Sequence, residues 1–439
     1  MTQRYLDQFD QFISGDGKRA PESVNRMRRE AIEQFASLGF PTTKNEDWHF
    51  TSASPIAERE FTFVAAATGD VTDDDLSPFL FPGDWRTIVF VNGRYAPELS
   101  VLSMLGRGVR VASLGDAWKS APELTSDVGT IVSDADQHAF TALNTAFMPD
   151  GAVIDVSAGV EVRPAIHVVF VTDAHAAKTV MHPRTIIKLG ANARATVVES
   201  YVSLSDAAYF TNAVTEVRVG DGATLEHYKI QREGRRAFHV GTIEARQARD
   251  SHYVSFSFAT GGALTRTNIY TKLAGEGCGS TLNGLYMLDG EQHCDHQTRI
   301  EHAEPNCFSR EVYKGVLDGR SHGVFNGKVY VHPAAQKTDG KQTNNTLLLS
   351  KDAQVDTKPQ LEIFADDVKC THGATVGRLD EMAWFYMKSR GLDAETARRL
   401  LIYAFAADVL ETIEHAEVRE GLERITLERF VKTEELAPV

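Results

Sequence analysis

KLGANARATVVES, residues 188–200, and RVGDGATLEHYK, residues 218–229, decide the fold. Gly190 and Gly220 stand 30 residues apart, as do Ala193 and Ala223. Each turn follows a β run (Ile187 and Leu189; Val217 and Val219) and leads into another. A further step of 30 reaches Asp250, and LAGEG at 273–277 has the same form after a slightly shorter step. Between the turns lie short alternating runs such as HYVSFSF at 252–258, where Val254, Phe256 and Phe258 share one face and the serines the other. A strand–turn–strand unit at a near-fixed period, with no helices between, predicts a solenoid whose rungs share one core. Regular hairpins in a large antiparallel sandwich are the competing reading, and pattern alone leaves both open.

The β pattern spans about residues 150–376, and both flanks differ. Upstream, Val24, Met27, Ala31, Ile32, Phe35 and Leu38 recur at helical spacing, with Pro21 in the first turn and Gly39 and Pro41 as the stop. Trp48 and Phe50 then offer anchors for this cap, and TIVFVNGRYAPELS at 87–100 reads as a strand, an Asn92-Gly93 turn and a second strand. Downstream, LDEMAWFYMKSRG ends a helix at Gly391. Asp393 caps a second helix over 394–415, striped by Leu401, Phe405, Val409 and Ile413. The chain thus divides into a helical and mixed region (1–149), a β core (150–376) and a C-terminal helical region (377–439).

At 439 residues the chain exceeds what one compact core usually holds, roughly 250–300 residues, which suits several domains or an elongated architecture. With 46 basic against 60 acidic side chains, the net charge of −14 disfavours nucleic acid as a partner. Four cysteines, none in a CxxC pair, are too few for a disulfide framework and fit a reducing, cytoplasmic setting. The N-terminal residues carry charges throughout, so no signal peptide is expected, and no run of ~18 apolar residues predicts a membrane span.

The usual catalytic signatures are missing: there is no GxxxxGK[ST], no GxSxG and no HExxH. His293, Cys294, Asp295, His296, His302 and Cys307 form the densest His/Cys group, without ordinary zinc spacing. In KCTHG at 369–373, strand alternation puts Cys370 and His372 on one face, where thiolate and imidazole can share a metal. Two ligands cannot close a site, so another chain or a substrate must supply the rest. A sugar-cleaving β-helix enzyme would need paired carboxylates on one face, whereas Asp366 and Asp367 are adjacent.

FNGKVYVHPAAQKTDGKQTNNTLLLSKDAQVDTKPQLEIFADDVKCTHGATVGRLDEMAWFYMKSRGLDAETARRLLIYAFA, beginning at Phe325, resembles the SufB/SufD family of iron–sulfur cluster assembly proteins. VYKGVLDG at 312–319, NTAFMPDG at 144–151 and VFVNGRYAPELS at 89–100 resemble it too. Gly373 after the Cys-x-His motif, where SufB typically has an acidic residue, makes the chain look like the SufD branch.

The resemblance implies a right-handed parallel β-helix flanked by helical regions, and a non-catalytic subunit of a SufBCD-type complex. The implied partners are a SufB-like paralogue and a SufC-like ABC ATPase that hydrolyses ATP, and the implied role includes support of iron acquisition. A transient cluster would form at the SufB–SufD interface with Cys370 and His372 as ligands. No tightly bound group is expected on the isolated chain, which could pair with itself, and flavin is left unassigned. Arg398, Arg399 and Tyr403 are the expected ATPase-docking residues. A β-helix carbohydrate-active enzyme and a free-standing binding module are the alternatives.

Overall fold

The structure, a computed structural model, describes residues 2–63, 69–131 and 138–430. Successive strands alternate between two sheets and climb as a β-solenoid of about 8 turns. The front sheet runs through Ala152–Val156, Arg184–Leu189, Phe210–Val219, Phe238–Gln247, Leu264–Leu273, His293–His302, His322–Val331 and Gln354–Ile363. The back sheet runs through Arg86–Val91, Ile166–Thr172, Arg194–Ser203, Thr224–Arg232, His252–Ala259, Gly279–Leu288, Phe308–Leu317, Asp339–Leu348 and Lys369–Gly377. These ladders are all parallel, which excludes the antiparallel sandwich. The Asn92-Gly93 hairpin forms as expected, with left-handed φ of 49° and 78°.

The repeat is less regular than the glycine spacing suggested. Val219 pairs with Leu189 below but with Gln247 above, so the upper rung is two residues shorter. Asp250 therefore aligns with Gly222, two positions beyond Gly220. What recurs is backbone conformation. Asn192, Gly222, Asp250, Gly277, Asn306 and Lys337 form one column along the front-to-back corner, each with φ between 53° and 77°. Gly220 serves close stacking instead, since a Cβ there would lie 2.7 Å from the Leu189 carbonyl oxygen.

In HYVSFSF the apolar face is the outer one. Phe256 and Phe258 join Tyr228, Leu285, Met287 and Val316 under the C-terminal helices, while Ser255 and Ser257 are buried in the lumen. Lumenal polar groups are tolerated because they pair with one another, as Ser257 does with His296 at 3.2 Å and Glu199 with His227 at 2.8 Å.

Helices Thr2–Ser14, Glu22–Leu38 and Ala139–Phe147 cover the outer face of the front sheet around Val180, Phe210, Phe238 and Leu264. On Glu22–Leu38 the expected Val24, Ala31, Ile32 and Phe35 are buried, whereas Leu38 is exposed. Trp48 anchors the cap as anticipated: it is buried, with the Arg266 guanidinium 4.0 Å from its ring centroid. Arg266 also donates to Asp295 at 2.6 Å, and the Thr51 hydroxyl donates to the same carboxylate at 2.5 Å.

The second C-terminal helix differs from expectation in extent and facing. It spans Ala394–Leu410 and a third helix begins at Ala416, because Thr412 turns its hydroxyl back to the Val409 carbonyl and accepts from Asn283. Ala397, Ile402, Ala406, Val409 and Leu410 are its buried residues, so Leu401 and Phe405 flank the buried stripe rather than centre it. No helix among the described residues is long and apolar enough to cross a membrane.

Candidate functional site at the open end of the solenoid

The last rung consists of Gln354–Ile363 and Lys369–Gly377, and none of its residues is buried. Lys369–Gly377 pairs with Asp339–Leu348 on one side and ends its sheet on the other. Its free backbone groups form a bare parallel edge, the kind of edge that adds a strand from another chain.

Cys370 and His372 sit on this strand, in register with Gly340 and Gln342. Both share the lumenal face: a Cβ on Gly340 would meet the Cys370 sulfur at 3.4 Å, and Gln342, beneath His372, is buried. His372 itself is exposed and Cys370 half-buried. Burial raises the Cys370 thiol above its usual range, so as it stands it is a protonated sulfur that a metal or a basic partner must deprotonate. One rung deeper, the Gln342 amide donates to Glu311 at 2.6 Å, and burial pushes that carboxyl up to about 7. His372, Gln342 and Glu311 thus form a polar file that descends from the mouth into the lumen.

The helix Glu381–Ser389 follows directly, capped by Asp380, whose carboxylate accepts from the Met382 and Ala383 amides. It buries none of its residues: Met382 is 76% exposed and Phe385 65%, while Val376 on the last rung and Phe364 just after Gln354–Ile363 are also exposed. The sequence reading missed this surface. Its signal was present in MAWFYM, an apolar run without a polar face.

Other sequence candidates fall elsewhere. Arg398, Arg399 and Tyr403 are half-buried against their own chain rather than exposed: Arg398 reaches the Leu349 carbonyl and Arg399 pairs with Glu395 at 3.0 Å. Asp366 and Asp367 lie in the turn before the last strand. Cys294 and His296 face the lumen, where His296 packs on Tyr286 and Tyr313, while His293 and Asp295 bond Thr51 beneath the N-terminal cap. Among the described residues, no three His, Cys, Asp or Glu side chains are grouped to hold a metal ion.

Comparison with known proteins matches residues 170–405 to the SufBD core domain of the SUF system for FeS cluster assembly, and residues 1–168 to the SufBD protein N-terminal region. The chain is 35% identical to the iron–sulfur cluster assembly protein SufD of Escherichia coli over 97% of its own length and 96% of the relative's. It is 33% identical to an iron–sulfur cluster assembly SufBD family protein of Synechocystis, over 91% and 89% of the two chains. A chloroplastic protein of Arabidopsis thaliana, ABCI7, is 30% identical over 90% and 84%.

Proposed function

The chain belongs to the SufBD family of iron–sulfur cluster assembly proteins, and we propose that it is the SufD-like subunit of a cytoplasmic SufBCD-type scaffold. In this reading a SufB-like paralogue adds its own last strand to the bare edge of Lys369–Gly377. Two copies of this chain would use the same edge when the paralogue is absent. The nascent cluster, as cargo, forms between the two chains with His372 and Cys370 contributing from this side. The carrying observation is the pairing of an unfinished rung with an unfinished ligand set: an imidazole and a thiol two residues apart on an edge open to a second chain. Thiolate and imidazole both ligate iron–sulfur clusters. A site with only two ligands from this chain can also release what it builds, and that suits assembly and iron acquisition.

A SufC-like ATPase is assigned to the outward surface of the C-terminal helices. Their inner surface is already spent on Phe256, Leu285 and Val316, so deleting them would strip the back sheet along with any docking site.

His372→Ala is the test, made in the complete complex assembled in cells. We expect assembly by gel filtration to be unchanged and iron and sulfide content to fall about tenfold or more, with a milder loss in Cys370→Ser. A fully assembled His372→Ala complex with normal cluster content would remove this residue from the mechanism.

A further inference from the structure

Two cysteines that the proposed function does not use are brought together by the register of the back sheet. Gly279 pairs with Phe308, so Cys278 and Cys307, the residues just before them, are neighbours on consecutive rungs. The Phe308 amide donates to the Cys278 carbonyl at 3.0 Å, which fixes the two backbones at the rung spacing. That spacing, ~4.8 Å, lies inside the Cα separation that disulfides span, roughly 4.4–6.8 Å. Both thiols point into the same inner corner and share one acceptor: the Gly275 carbonyl oxygen lies 3.1 Å from the Cys278 sulfur and 3.3 Å from that of Cys307. Both thiols are buried beneath the corner turns: the partly exposed turns at 274–277 and 303–306 lie over them, and the Ala248 carbonyl oxygen lies 2.9 Å from the Cys278 sulfur.

We propose that Cys278 and Cys307 are a reversible oxidation site, closing to a disulfide that staples adjacent rungs when the protein meets a peroxide. The Cys278 thiolate attacks one peroxide oxygen, the O–O bond breaks and hydroxide leaves. Cys307 then attacks the resulting sulfenic sulfur and its hydroxyl departs as water. Overall, two thiols give up two electrons and two protons, and hydrogen peroxide becomes two waters. The polarity of the pair suits this order. The proximity of Cys307 holds the Cys278 thiol below its usual range, while that proximity and burial push Cys307 up. Cys294, by contrast, is pushed up by burial and by the Asp295 charge, and has no cysteine beside it in register.

The test treats full-length reduced protein with hydrogen peroxide, alkylates the remaining thiols after denaturation, and maps disulfide-linked peptides by mass spectrometry. Of the four thiols, two should disappear, joined as Cys278–Cys307, and dithiothreitol should restore them. Cys370→Ser should still form the bridge, Cys278→Ser should retain every remaining thiol, and Cys307→Ser should stop at a Cys278 sulfenic acid with no disulfide. Oxidation confined to Cys370, or a wild-type digest without the 278–307 linkage, would overturn the proposal even if the single-site variants fail to fold.

Discussion

At its first rungs the solenoid is sealed. Arg86–Val91 and Ile166–Thr172 are buried along their whole length, and three N-terminal helices lie across the front sheet beside them. At its last rung, the same two-sheet architecture stops with no buried strand residue and, among the described residues, no cap, and the helix that follows keeps Phe385 and Tyr386 exposed. Repeat proteins ordinarily need a polar cap at each end. The contrast teaches that one end is finished for stability and the other left for a second chain, and the Cys370/His372 pair lies at the unfinished one.

The sharpest way to break the comparison is to attack the sealed side. Asp295 is buried, neutralises the buried Arg266 and accepts from Thr51, which ties the cap to the front sheet. Asp295→Ala leaves that guanidinium unpaired and should cost about 3–5 kcal/mol in a denaturant titration. Next comes a matched pair from the back sheet. Leu282→Ala, in the middle of the lumen, should cost about 2–5 kcal/mol. Val376→Ala, on the open rung, should cost less than about 0.5 kcal/mol while weakening association with the partner. Equal losses at the two positions would mean that the last rung is closed within the isolated chain.

Glu311 supplies a pH test between the two regimes. Its carboxyl is pushed up to about 7 by burial, from an ordinary value of 4.5. The native state therefore keeps the proton that the unfolded chain releases above about 4.5. The stability this group contributes is full below that pH and is lost as pH rises through about 7. Glu311→Gln should remove this dependence, so wild type should lose on the order of 3 kcal/mol relative to the variant between pH 4.5 and 8. Parallel slopes in the two proteins would place Glu311 in contact with solvent or with a cation.

The sequence by itself determined the recurring corner. Small or turn-forming residues at Gly190, Asn192, Gly220 and Gly222 sit between β runs because a rung must reverse direction in a few residues and stack on the rung below. It also determined the Cys370/His372 pair, since alternation along a strand is local. Tertiary structure alone decided the rest. Whether Phe256 or Ser255 faces the lumen depends on which side the C-terminal helices cover, and no local pattern carries that information. The stacking of Cys278 on Cys307 depends on the length of each rung, and those lengths vary enough to shift a column by two residues. The exposure of Met382 and Phe385 follows because, among the described residues, no further rung or helix covers them. Periodicity can mark a side chain as apolar, but only the assembled fold shows whether anything covers it.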